Sequence, residues 1–213
     1  MFADRKDAAI KLAENLKQYK GLNPLVLAIP RGAVPMAKTI AAELEGDFDV
    51  VLVRKLRAPY QPELAIGSID ESGWAYIAPH ASSTGASPEY IEAEKKVQME
   101  TIQKRRNLYT PVRPPINPSG RIVIVIDDGL ATGATMISAL HGLRARNPAK
   151  LICAVPVAPP DTFKKIQGMA DEAVCLLAPD YFMAVGQFYK NFSQIEDEEV
   201  VSLLKGSSVN KDP

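Results

Sequence analysis

An unbroken apolar run that leads into two adjacent carboxylates and a glycine-containing turn is the feature that most constrains this chain. Residues Ile122–Ile126 are all apolar and β-branched. A short run of this kind is typical of a central strand covered on both faces, as in a parallel sheet. Asp127 and Asp128 follow at once, and the turn Gly129–Thr135 then leads into a helical pattern. Because open α/β sheets bind ligands at the carboxyl ends of their strands, we expect the functional site here.

The residues of this corner suit a phosphorylated sugar. Two adjacent carboxylates repel each other, and a vicinal diol or a hydrated magnesium ion would offset that repulsion. Gly133 has no Cβ, so the backbone can approach an anion closely, and free N–H groups at the helix start point to the same place. The hydroxyl groups of Thr132 and Thr135 add donors. Diol-binding acids followed by a phosphate cradle predict a site for ribose 5-phosphate.

A plain strand–turn–helix corner, whose Asp and Thr side chains only cap the helix, is the alternative. A Walker A loop is excluded, because its lysine is absent. The segment RIVIVIDDGLATGATM resembles the signature of type I phosphoribosyltransferases, which bind 5-phosphoribosyl 1-diphosphate (PRPP). The resemblance implies that Asp127 and Asp128 hold the ribose hydroxyls and bind Mg²⁺ indirectly, through water or PRPP. The substrate-binding residues that it implies in the loop are Gly129, Ala131, Thr132, Gly133, Ala134 and Thr135, with Ala131 to Thr135 at the 5-phosphate.

Basic residues follow two other predicted strands. Arg31 and Gly32 come after the first strand, and an arginine side chain there can bind phosphate oxygens in pairs. In the family, the loop at this place contacts the diphosphate leaving group, so the resemblance implies a catalytic role for Arg31 beside the two aspartates. Lys55 and Arg57 cap the second predicted strand and would bind the same group. An ordinary turn or a solvated basic loop is the alternative in each case.

The order of predicted elements indicates an α/β fold with an open, mainly parallel sheet and helices on both faces. A first helix ends by Gly21, and two strands that flank Glu71-Ser72-Gly73 predict a hairpin. We expect a single phosphoribosyltransferase-like domain over residues 1–213, with residues 65–118 as an insertion or hood, and a frayed KGSSVNKDP tail. The expected strands are 25–29, 50–53, 65–69, 74–78, 122–126, 151–155 and 173–177. The later helices are 33–44, 88–107 with Ser87 as its N-cap, 134–146, 161–168 and 197–204.

Charge and composition exclude other classes of protein. Lys plus Arg and Asp plus Glu both number 25 in 213 residues, so no net charge favours nucleic acid or an anionic membrane. No apolar run approaches the roughly 18 residues that span a bilayer, and the first residues lack the apolar core of a secretory signal. We therefore expect a cytoplasmic protein, with Cys153 and Cys175 buried and reduced. The sequence leaves open whether the protein forms a homodimer.

The acceptor is the least determined part of the reaction. The resemblance implies transfer of the 5-phosphoribosyl group to a nitrogen acceptor, most simply a nucleobase, with release of diphosphate. Trp74, Tyr76 and the aromatic run 181–189 could stack on a planar base, although ordinary packing also explains them. Ala131 stands where enzymes that act on 6-oxopurines commonly carry Asp, which argues against that class. A PRPP-binding regulator without transfer activity is the main alternative, and a sugar-phosphate hydrolase is a third.

Overall fold

A computed structural model describes residues 1–206 of the chain. Its strands, in chain order, are β1 (Leu25–Ala28), β2 (Asp47–Val50), β3 (Val53–Arg57), β4 (Ala65–Asp70), β5 (Ala75–Ile77), β6 (Ile122–Ile126), β7 (Lys150–Val157) and β8 (Glu172–Leu177). Its α-helices are α1 (Arg5–Asn15), α2 (Val34–Leu44), α3 (Pro88–Tyr109), α4 (Ala134–Arg144), α5 (Pro160–Gln167) and α6 (Asp197–Lys205). Of the tail predicted to fray, residues 205–213, only the first two are described, and Lys205 is the last residue of α6. Residues 207–213 lie outside this part of the chain.

Five strands form a parallel sheet in the order β2-β1-β6-β7-β8. Alternate residues of the central strands enter two different cores, which explains their unbroken apolar sequence. Val26 and Ile124 belong to the core under α1 and α2, whereas Leu27 and Val125 pack with α4 on the other face. The predicted open parallel sheet with helices on both faces is therefore confirmed. Because the chain places β2 and β6 on opposite sides of β1, the strand order reverses there.

The second strand differs from the prediction. The expected strand 50–53 is split, because β2 ends at Val50 and Val53 already begins another sheet. The DFDV sequence of β2 does not look like a buried strand, yet Asp49 is buried in it. Its carboxylate accepts hydrogen bonds from the backbone N–H groups of Val50 (2.8 Å) and Ile116 (2.9 Å). Those bonds offset the burial of a polar group, which the apolar pattern could not reveal.

A smaller antiparallel sheet, β3-β4-β5, contains the predicted hairpin. Helix α3 packs beside β3, and Ser87 caps its first turn as predicted by accepting the N–H of Tyr90. The sheet also packs on α4, where the Ser68 hydroxyl donates to the carbonyl of Ala134 (2.6 Å). This sheet begins at Val53, and it supports the helix that follows the predicted phosphate loop.

Two further expectations concern single features. Both cysteines are free thiols, and Cys153 is fully buried, whereas Cys175 is partly exposed. Burial raises the pKa of the Cys153 thiol. Over residues 1–206, no helix has the length and apolar character needed to cross a membrane.

Candidate active site

The carboxyl ends of β1 and β6 lie side by side where the strand order reverses, and a cavity of about 510 Å³ opens above them. This volume lies within the range of small-molecule sites. The topology therefore brings together two loops that are almost 100 residues apart in the chain. The predicted site residues that line the cavity are Arg31, Gly32, Lys55, Asp127, Asp128, Gly129, Ala131, Thr132, Gly133 and Thr135.

The loop between β6 and α4 has the geometry of an anion cradle. Gly133 precedes the helix with φ of +73°, a left-handed conformation that favours glycine. The first N–H groups of α4 have no partner within the helix and face the loop. The loop itself is held from outside, because Leu130 N–H donates to Val157 (2.9 Å) and the Thr162 hydroxyl donates to the Ala131 carbonyl (3.0 Å).

The two aspartates lie on the cavity floor in different surroundings. Burial raises the pKa of the Asp127 carboxyl well above its usual value, and the neighbouring charge of Asp128 adds to the effect. Burial also raises the pKa of Asp128, although Arg5 opposes the shift. Arg5 donates to Oδ2 of Asp128 through Nε (3.0 Å) and Nη2 (2.8 Å). Two carboxylates in a poorly solvated place favour a ligand that brings donors or positive charge.

Arg5 is a site residue that the sequence did not reveal. It lies in the first turn of α1, where a basic residue on a surface helix carries no motif. In the fold it reaches the cavity, donates to the Ser193 carbonyl (2.6 Å) and stacks on the ring of Phe192, with 3.9 Å from Cζ to the ring centroid. The Tyr189 hydroxyl donates to the Asp128 carbonyl (2.6 Å). Asp128 is thus held by Arg5 from the N-terminal helix and by Tyr189 from the C-terminal region.

The loop after β1 approaches Asp128 closely. A Cβ on Gly32 would lie 2.0 Å from Oδ2 of Asp128, so only glycine fits this position without a shift. In the same loop, the peptide bond between Pro30 and Arg31 is cis. Arg31 extends from this loop, and its Nη1 lies 2.5 Å from Oε2 of Glu196. Glu196 is a second residue near the site that sequence analysis missed.

Several predicted residues lie elsewhere. Arg57 is not part of the cavity wall, because it pairs with Glu94 (3.0 Å) under α3. Trp74 stacks on His141, with ring centroids 3.6 Å apart, and the Tyr76 hydroxyl accepts from Lys165 (2.5 Å). None of the described residues in 65–118 lines the cavity, so their action as a hood stays a prediction. From the C-terminal region, Val185 and Phe192 line it instead. Ala134, also predicted to bind substrate, begins α4 but does not line this cavity; it lines a neighbouring one together with Thr132.

The donor set fits an indirectly bound Mg²⁺. Within residues 1–206, no three His, Cys, Asp or Glu side chains cluster as metal ligands. Mg²⁺ in proteins usually keeps several waters and takes one or two carboxylates together with substrate phosphates. Asp127 and Asp128 supply two carboxylates on the cavity floor. These residues would thus hold the metal only together with water or a phosphorylated ligand.

Comparison with known proteins identifies the family. A model of the phosphoribosyl transferase domain matches residues 2–192. The chain belongs to this family. The family that the segment RIVIVIDDGLATGATM resembles is therefore confirmed. A crystal structure of a Thermus thermophilus protein superimposes with a TM-score of 0.80 at 40% identity, and the match covers 97% of this chain and 98% of that one.

Two curated comparisons add detail. A Mycobacterium tuberculosis protein, provisionally named a phosphoribosyl transferase, is 42% identical over 205 residues, which are 96% of this chain and 46% of its own length. The chain thus spans about half the length of the curated relatives that it matches most fully. An adenine phosphoribosyltransferase from Rhodospirillum centenum is 31% identical over 93 residues, 41% of this chain and 54% of that protein.

Proposed function

We propose that this chain binds PRPP with Mg²⁺ and transfers its 5-phosphoribosyl group to a nitrogen acceptor, with release of diphosphate. The observation that carries the proposal is the meeting of two loops in one cavity. The Arg31-Gly32 loop supplies cationic and N–H donors, and the Asp127–Thr135 segment supplies carboxylates and a helix N-terminus. This order of groups suits a ribose with a phosphate at one end and a diphosphate at the other.

Each group would have a distinct role in binding. The helix N-terminus with Thr132, Gly133 and Thr135 would bind the 5-phosphate. Asp127 and Asp128, at the start of the second loop, would accept hydrogen bonds from the ribose hydroxyls. Arg31 and Lys55 line the same cavity and would contact the diphosphate.

The proposed reaction is displacement at the ribose C1 atom. The bond from C1 to the diphosphate oxygen breaks with its electron pair on diphosphate, and the acceptor nitrogen forms the new bond and then loses a proton. Positive charge grows on the sugar, near the carboxylates of Asp127 and Asp128, while Arg31 and Lys55 stabilise the leaving group. The two loops would hold the reactants in position. Bound Mg²⁺ would neutralise diphosphate charge.

A nucleobase is the acceptor that we propose. Val185 and Phe192 line the cavity and offer apolar surface to a planar ring. The absence of an acid at Ala131 argues against 6-oxopurines, and the partial similarity to an adenine phosphoribosyltransferase supports adenine as the first base to test. Because the chain matches only 46% of the length of the Mycobacterium tuberculosis relative, the proposal concerns the reaction of this domain and not that of a longer protein.

The test is diphosphate release from PRPP and Mg²⁺, with bases supplied one at a time. Release that depends on one base would support transfer and identify the acceptor. If the protein binds PRPP but releases no diphosphate with any of the bases, the alternative, a PRPP-binding regulator, is favoured. Absence of PRPP binding would refute both.

A substitution tests the assignment of the carboxylates. Asp128→Asn keeps the size of the side chain but removes a charged acceptor, and hydrogen bonds to charged groups contribute about 1.5–3 kcal/mol. We expect the affinity for PRPP–Mg²⁺ to fall by about tenfold or more in a calorimetric titration. Circular dichroism checks that the variant is folded, and a folded variant with unchanged affinity would contradict the assignment.

A further inference from the structure

Arg31, the residue proposed to contact diphosphate, is already paired with acidic residues from the C-terminal part of the chain. Its Nη1 lies 2.5 Å from Oε2 of Glu196 and 3.7 Å from Oδ2 of Asp197. The residues just before this acidic pair, 193–195, form part of the cavity wall. A diphosphate group that binds at Arg31 therefore meets a carboxylate that occupies the same guanidinium.

The two carboxylates are held differently. Asp197 pairs with Arg105 (3.3 Å) and accepts a hydrogen bond from the hydroxyl of Tyr109, whose side chain is buried. Both partners belong to α3, so Asp197 is fixed to that helix. The Glu196 side chain is 54% exposed, and its other contact is with the amide of Gln194 (2.5 Å). Exposed ion pairs contribute little to stability. Glu196 can thus leave Arg31 at small cost, whereas Asp197 stays in place.

The charge balance of the cavity makes this pairing important. Arg5 pairs with Asp128, and Arg31 pairs with Glu196 and, at a longer distance, with Asp197. Lys55 lines the same cavity and makes no ion pair within 4.0 Å among residues 1–206, although its charge acts on Asp127 and Asp128. Even with Mg²⁺ bound, Lys55 alone is a weak match for a highly charged diphosphate, so tight binding requires that Arg31 exchange Glu196 for phosphate oxygens.

We infer that Glu196 is an internal counter-ion of Arg31 that sets the affinity of the site for diphosphate. The inference rests on the function proposed above. When diphosphate binds, Arg31 exchanges the carboxylate for phosphate oxygens, and when diphosphate leaves, Glu196 pairs with Arg31 again. The competition weakens the binding of diphosphate and favours its release.

Removal of the charge at Glu196 is the first test. In Glu196→Gln, inorganic diphosphate with Mg²⁺ should bind more tightly than in the unaltered protein, by about two- to fivefold, the scale of an exposed ion pair. Glu198→Gln is the matched control, because Glu198 is also exposed in the first turn of α6 and carries the same charge. Calorimetric titration measures both, and ribose 5-phosphate should bind equally well to both variants.

A double-mutant cycle locates the effect at Arg31. In an Arg31→Met background, Glu196→Gln should leave the affinity for diphosphate unchanged. The inference is overturned if Glu196→Gln behaves like Glu198→Gln, if it weakens diphosphate binding, or if its effect persists without Arg31. In those cases the unaltered protein still binds PRPP, so the proposed function stands. An unaltered protein that binds neither PRPP nor diphosphate would refute both.

Discussion

Replacement of Gly32 by alanine should disrupt the site through one contact. The added Cβ would lie 2.0 Å from Oδ2 of Asp128 and 3.0 Å from Nη2 of Arg5. An ordinary carbon–oxygen contact is about 3.3 Å or longer, so one of the two loops has to move by roughly 1 Å. Asp128 cannot yield easily, because Arg5 holds its carboxylate and Tyr189 holds its carbonyl.

The cost can be estimated from this displacement. Overpacking in a well-packed place costs typically about 1–3 kcal/mol, and a misplacement of about 1 Å near reacting groups can reduce a rate by on the order of a hundredfold. We therefore expect Gly32→Ala to lower the free energy of unfolding by about 1–3 kcal/mol. The affinity for PRPP–Mg²⁺ should fall by about tenfold or more, since the loop that carries Arg31 moves with Gly32.

Chemical denaturation and calorimetric titration measure the two effects. Gly168→Ala is the matched control, because a Cβ there would have its nearest contact at 3.7 Å, an ordinary distance, and Gly168 does not line the cavity. A Gly32→Ala protein that unfolds and binds PRPP like Gly168→Ala would refute the reasoning. It would mean that the two loops are not as close in solution as the structure has them.

Three other substitutions test single residues. Thr135→Ala should weaken ribose 5-phosphate and PRPP alike, by about 0.5–1.5 kcal/mol for one lost hydrogen bond; a loss confined to PRPP in the same titrations would move Thr135 to the diphosphate end. Lys55→Met should weaken the binding of PRPP more than that of ribose 5-phosphate, because Lys55 lines the cavity and is proposed to contact the diphosphate, which ribose 5-phosphate lacks. Arg57→Met should leave PRPP affinity nearly unchanged and reduce stability instead, because it leaves buried Glu94 without its ion pair. A large loss of PRPP affinity without a loss of stability would contradict that interpretation.

Local patterns predicted the elements that carry the phosphate cradle. Strand β6 has the bounds that its apolar run indicated, and α4 begins at Ala134 as expected. Both depend on interactions between near neighbours in sequence, namely the burial of consecutive apolar residues and the turn at Gly133. The hairpin of β4 and β5 was predictable for the same reason, since Gly73 adopts φ of +86° in its turn.

Residues that act through distant contacts were not predictable in this way. Arg5 is 123 residues from Asp128 in the chain, and Glu196 is 165 residues from Arg31. Their types and positions are those of ordinary surface helices, so nothing near them in sequence distinguishes them. Arg57 is the opposite case. Its place at a strand end suggested an anion site, but in the structure its side chain pairs with Glu94.

The sequence by itself determined the parallel α/β class and the strand–turn–helix segment that we propose to hold a ribose phosphate, because strand burial and helix starts are properties of short stretches. The tertiary structure alone decided which charges share the cavity. The strand order places β1 beside β6, and the two chain ends bring Arg5 and Glu196 to Asp128 and Arg31. Electrostatic interactions depend on distance in space and on burial, and neither is encoded in the spacing of residues along the chain.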